Sequence, residues 1–136
     1  MGNVPIFAGA DLGETVRDLP ELTITANTTA EEADAACRNV GMWGERTLGV
    51  MRFSGLTPWE RHPDGDELLY ALDGEVDVTV LGEDGPIHGT VRAGSVFVCP
   101  RGLWHRQLPR TSATMLYGTP TKTSEVSFAE DPRLER

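Results

Sequence analysis

The sequence predicts an all-β domain, an antiparallel sandwich or barrel of short strands. Three observations carry that expectation. Fifteen glycines and nine prolines in 136 residues supply frequent turns. From residue 47 onward, short apolar and β-branched runs alternate with turn signals. Helical periodicity is scarce, with one helical signal between residues 28 and 37.

In order along the chain, Leu22-Thr23-Ile24-Thr25 alternates and is β-branched, so it reads as a short strand. Thr28 followed by Glu31 matches a capping box and predicts one or two helical turns before Cys37, with a mobile acidic loop as the alternative. Thr47 to Ser54 is a strand closed by Gly55. Glu67 to Leu72 meets Asp73-Gly74, a hairpin signal, and Glu75 to Val80 continues with period two. Gly82 to Pro86 is another turn. Further strands run from Ile87 to Arg92, Ser95 to Cys99, Leu103 to Leu108 and Ala113 to Thr119. These divide the chain into an N-terminal extension with an edge strand and a short helix (1–46), a barrel (47–119) and a tail (120–136), one domain overall.

The charge is −9 with a pI near 4.7, which disfavours phosphate backbones and hence nucleic acid as a partner. No apolar run reaches the roughly 20 residues of a membrane-spanning helix. The opening MGNVPIFAGADLGE has no basic stretch or cleavage-like site, and Ile6 stands where a myristoylation signal needs Ser or Thr. Cys99 closes an apolar run and is expected to be a buried free thiol. The expected compartment is the cytoplasm.

Two of the three histidines break the apolar pattern beside carboxylates. Residues two apart on a strand share a face, so Glu60 and His62 point together. Glu67 leads into an apolar strand, where a lone carboxylate would be costly to bury and a metal would offset that cost. His105 follows the tight turn Pro100-Arg101-Gly102. Two imidazoles with one or two carboxylates suit a divalent transition metal. Either histidine alone would read as an ordinary polar residue near a turn; together with Glu67 the ligand reading leads. By parity Leu69, Leu103 and Gln107 share a face with Glu67 and His105, forming either a mostly apolar substrate pocket with one polar handle or simple barrel filling. Trp59 and Trp104 have the opposite parity and read as outer packing. Arg52, Met115 and Tyr117 lie on strands that reach toward the pocket, with their facing open, and His88 reads as a surface residue.

Residues 55 to 109 resemble the two signature motifs of the cupin family. In the first motif His62 falls on the second histidine, with Glu67 and Gly74 at the family spacing. In the second, Gly94, Pro100, Gly102 and His105 occupy their places. Glu60 stands where the family has its first histidine, Gly55 lies one residue too close to it, and Pro109 replaces the final Asn. The resemblance implies an antiparallel double-stranded β-helix, the jelly-roll barrel of cupins. It also implies one divalent metal per chain (Fe, Mn, Ni or Zn) held by His62, Glu67 and His105. Glu60 is then a fourth ligand, a general base beside an open position, or an acid paired with Arg61 or Arg52.

The expected function is a metal-dependent enzyme of dioxygenase, isomerase/cyclase or lyase type acting on a small organic molecule; the alternative is a non-catalytic binding or sensor cupin. A homodimer is expected, with Val4, Ile6 and Phe7 in a segment that could add an edge strand to a partner.

Overall fold

Strand pairing dominates the chain. A computed structural model describes residues 9–134, and within them eleven strands form two sheets. The elements are α1 (Leu12–Arg17), β1 (Glu21–Thr23), α2 (Ala30–Ala36), β2 (Arg38–Trp43), β3 (Arg46–Ser54), β4 (Trp59–Arg61), β5 (Glu67–Asp73), β6 (Glu75–Gly82), β7 (Gly85–Arg92), β8 (Val96–Cys99), β9 (His105–Pro109), β10 (Ala113–Pro120) and β11 (Glu125–Ser127), followed by a 3-10 turn over Pro132–Leu134. One sheet runs β1-β3-β10-β5-β8, with β2 also on β3; the other runs β11-β4-β9-β6-β7. Every pairing is antiparallel except the short β1–β3 contact. The Val4, Ile6 and Phe7 segment lies outside the described residues.

The core sits between the sheets. On β6, Val76, Val78 and Val80 face inward while Asp77 and Thr79 face out, the period-two alternation of a strand with one buried face. They meet Phe53, Leu69, Ala71, Val91, Cys99, Ala113 and Met115 from the surrounding strands. Cys99 is a buried free thiol as expected, and burial pushes its pKa up.

Three local expectations need correction. Asp73-Gly74 is not a hairpin turn, because β5 pairs with β10 and β8 whereas β6 pairs with β9 and β7. Gly74 instead carries the chain from one sheet to the other with φ 82°, and a Cβ there would collide with the carbonyl oxygen of Ser112. The hairpin lies at Gly82–Gly85, where β6 and β7 stay in register from Glu75↔Arg92 to Gly82↔Gly85. The capping box is Thr29 with Glu32, one residue on from the pair read in the sequence: Glu32 N donates to Thr29 Oγ1 at 3.1 Å and Thr29 N donates to Glu32 Oε1 at 3.0 Å. The first strand covers residues 21–23 rather than 22–25, although Ile24 N still reaches Ser54 O at 2.8 Å.

A helix that the sequence reading passed over, α1, is capped by Asp11, whose carboxylate accepts from Glu14 N at 3.0 Å. Arg52 anchors its far end, donating to Val16 O at 2.9 Å and Leu19 O at 2.8 Å, and also to Thr114 Oγ1 at 3.0 Å. Arg52 therefore turns away from the interior.

The outer face of the five-stranded sheet carries Trp59, Trp104 and Leu81 in a separate buried cluster. What covers it belongs to the same chain. Arg106 lies 4.3 Å from the Trp59 ring, Arg61 lies 4.9 Å from the Trp104 ring, and Trp59 Nε1 donates to Glu130 O. Beyond residue 119, β11 extends this sheet by pairing with β4. His88 is exposed, with Nδ1 3.1 Å from Thr79 Oγ1.

Candidate metal centre

Four ligand-type side chains converge between the sheets: Glu60, His62, Glu67 and His105, each offering one atom within 4.8 Å of all the others. The five-stranded sheet supplies three of them. Glu60 lies in β4, His62 directly follows it, and His105 opens β9 in register with Glu60. The six-stranded sheet supplies Glu67, the first residue of β5. Alternation explains the pattern on β4, where Glu60 faces the interior while Trp59 and Arg61 face the outer tryptophan cluster.

Two loops hold these strands together. Gly102 N donates to His62 O at 3.1 Å, Arg101 N donates to Asp66 Oδ1 at 2.7 Å, and Arg101 Nε donates to Pro63 O at 2.6 Å. The turn before His105 is thus tied to the turn between His62 and Glu67. Gly102 adopts φ 76°, a conformation glycine reaches without strain.

The separations are of the size a coordination shell needs. His105 Nε2 lies 2.9 Å from Glu67 Oε1, and His62 Nε2 lies 3.5 Å from Glu67 Oε2 and 3.6 Å from Glu60 Oε2. Metal–ligand bonds of about 2.0–2.2 Å place neighbouring ligand atoms roughly 3 Å apart and opposite ones roughly 4.2 Å apart in an octahedral set. Three of these atoms (His62 Nε2, His105 Nε2 and Glu67 Oε1) are buried and make no hydrogen bond. Buried polar atoms left unpaired are costly, and a cation among them removes the cost. The donor set therefore fits a divalent metal.

Partners behind the ligands orient them. Thr119 Oγ1 donates to Glu67 Oε2, and His62 Nδ1 lies 3.0 Å from Ser124 Oγ, which leaves Nε2 for the centre. Burial opposes charge on His62, but the carboxylates of Glu60 and Glu67 outweigh it and push its pKa up to about 10. Burial likewise opposes charge on Glu67, yet His105 and His62 hold it well below the usual carboxylate range.

Beside the centre lies a cavity of about 510 Å³, reached by Glu60, His62 and Glu67. Leu69 and Gln107 line it, as do Met115 and Tyr117 from β10. Leu103 does not. It precedes β9, where strand parity has not begun, and it packs against the core and a shallow outer groove. Sequence reasoning missed most of the remaining wall: Met51 and Phe53 from β3, Ala30, Ala33 and Asp34 from α2, Cys37 beyond it, and Val126 and Phe128 near β11. Period two along β3 joins Met51 to Phe53, but nothing local tells which face is internal.

The family profile described as "Cupin domain" matches residues 50–116. Oxalate oxidase 1 of Hordeum vulgare is 32% identical over 122 residues, covering 79% of this chain and 61% of that protein. Germin-like protein subfamily 2 member 4 of Arabidopsis thaliana is 35% identical over 88 residues, covering 60% of this chain and 40% of that protein. Among solved structures, an oxalate oxidase in complex with the substrate analogue glycolate superposes with a TM-score of 0.53 at 28% identity, covering 60% of this chain and 46% of that one. The chain thus spans less than two thirds of the length of these relatives.

Proposed function

The chain belongs to the cupin superfamily, and on that premise we propose that it is a metal-dependent enzyme acting on a small organic molecule held beside the centre. One observation carries the reading: two imidazoles and two carboxylates from both sheets converge with three buried, unpaired ligand atoms. His62, Glu67, His105 and Glu60 would hold one divalent transition ion, and their two negative charges make the loaded cluster formally neutral. When bound, such an ion polarises a coordinated oxygen or, if redox-active, supplies oxygen chemistry of the dioxygenase type.

The chain's own residues define the rest. Glu67, 5% exposed in its side chain, and His105, 1% exposed, form the sealed floor of the site. Glu60, 35% exposed, stands where the centre meets the cavity. As a ligand it completes the set; left free, it is the carboxylate placed to take a proton from a bound molecule. Two free thiols fit a reducing cytoplasm. The reading also takes the protein as a homodimer.

Elemental analysis of protein purified without chelator tests this, with Glu60→Ala and His105→Ala beside it. The expected result is near one divalent transition ion per chain, lost in His105→Ala. Retention in Glu60→Ala takes Glu60 out of the ligand set and makes it a candidate base. Metal well below one per chain, with no uptake of added iron, manganese, nickel or zinc, overturns the proposal.

A further inference from the structure

Among the described residues that line the cavity, the one cationic group is the His62 imidazolium of the metal-free form, and it is already paired with Glu60 and Glu67. Those residues include neither lysine nor arginine, and the charged groups besides His62 are Asp34, Glu60 and Glu67. Arginines are present on the strands that build it, but each is committed elsewhere. Arg46 stacks on Trp43 and donates to Asp66 O, Arg52 binds the carbonyls of Val16 and Leu19, Arg61 pairs with Glu125, and Arg106 lies over Trp59. A loaded centre adds nothing to this balance, since two carboxylates neutralise a divalent ion. A dianion entering here would shed its water shell against three carboxylates, with one imidazolium already committed to two of them.

The remaining wall is mostly apolar, with hydroxyls of Thr28, Thr29, Thr57 and Tyr117 among its polar groups. Met51, Phe53, Leu69, Met115 and Phe128 surround the space, and α2 closes one side of it with Ala30 and Ala33. Besides the ligand-type atoms of His62 and Glu67, one buried polar atom of the lining residues has no hydrogen-bond partner, Gln107 Oε1. Gln107 N donates to Thr57 Oγ1 at 2.9 Å and Thr57 N donates to Gln107 O at 3.0 Å, so its backbone is fixed while its side-chain oxygen stays unpaired. Apolar walls with one convergent polar group are the ordinary form of a site for a neutral organic ligand.

We infer that the substrate is an uncharged, largely apolar molecule, of the phenol or aryl-ketone class, that presents one oxygen to the metal side and a hydrogen-bonding group to Gln107, and that small dicarboxylates are excluded. The oxygen contact rests on the proposed metal centre. The apolar and charge arguments do not.

Calorimetric titration of the full chain, metal-free and zinc-loaded, with 2-naphthol and with oxalate separates these points. 2-Naphthol is expected to bind in both forms, at least about tenfold more tightly than oxalate, the discrimination that one poorly compensated buried charge readily exceeds. Gln107→Leu should weaken 2-naphthol binding about fivefold through one lost hydrogen bond. Ala33→Trp, on the helix that closes the cavity, should abolish it while zinc content stays at the wild-type level. Oxalate binding as tight as 2-naphthol overturns the inference, as does 2-naphthol binding unchanged in Ala33→Trp. Failure to take up zinc would overturn the metal reading alone, because the metal-free titration still decides the substrate class.

Discussion

Thr119 Oγ1 donates a hydrogen bond to Oε2 of Glu67, while Oε1 of the same carboxylate faces His105 Nε2 at 2.9 Å. One oxygen is held by β10 and the other is offered to the centre. Thr119→Val keeps the shape and removes the donor. Orienting partners of this kind are typically worth about 10–100-fold in metal affinity. A competition titration with a chromogenic chelator should show a loss in that range, with the fold intact by circular dichroism. Unchanged affinity would show that Glu67 is held well enough by its burial.

The raised pKa of His62 sets the sign of the pH dependence. Without metal, a protonated His62 is stabilised by Glu60 and Glu67, so its contribution is fully present below about 6.5 and is lost as pH rises through about 10. The lowered pKa of Glu67 contributes above about 4.5 and is lost as pH falls below it. The thermal midpoint of chelated protein should therefore be highest between these limits and decline from pH 7 to 10. A metal displaces the proton from His62, so metal affinity should rise with pH across the same interval. Parallel melting curves with and without zinc check both trends.

Removing the metal should lower stability without unfolding the chain, because apolar side chains other than the ligands build the core between the sheets. At a free ion concentration a hundred times Kd, the bound form gains about 2.7 kcal/mol. Calorimetric melting before and after chelation should show a drop in Tm that grows with the zinc concentration of the control.

Gly49 lies beneath the Tyr117 ring, its pairing partner on β10, and a Cβ at that position would collide with the tyrosine hydroxyl. Tyr117 in turn contacts the Cys37 thiol at the cavity wall. Gly49→Ala should destabilise by about 1–3 kcal/mol, the range for overpacking a filled interior. Gly49→Ala combined with Tyr117→Phe should recover part of this, as read by urea unfolding, since the hydroxyl is among the clashing atoms.

Arg52 joins β3 to the end of α1 through two carbonyls. Arg52→Met keeps the aliphatic stem and strands those acceptors. The expected loss is about 1–3 kcal/mol in urea unfolding, with metal content unaffected.

Much of the barrel was legible in the residues. Val76, Val78 and Val80 declare the inner face of β6 by alternation, and glycines at positions 55, 74, 94 and 102 punctuate the strands where the backbone turns left-handed. Glu60, His62, Glu67 and His105 could be named because strand parity and motif spacing are local properties. Leu103 shows where that logic stops, since parity has no meaning in the turn before β9. Asp73-Gly74 shows a second limit. A glycine with positive φ permits either a hairpin or a passage between sheets, and only the partners of β5 and β6 choose.

By itself, then, the sequence determined the strand periodicity, the turn positions and the identity of four ligand-type side chains, because each depends on neighbours within a few residues. Tertiary structure alone decided that the four meet across two sheets, that Thr119 and Ser124 orient them, and that α2, β3 and β11 wall a mostly apolar cavity with neither lysine nor arginine among its described lining residues. Those outcomes depend on contacts between distant parts of the chain, 52 positions apart for Thr119 and Glu67 and 62 for His62 and Ser124, and no local pattern encodes which pair will form.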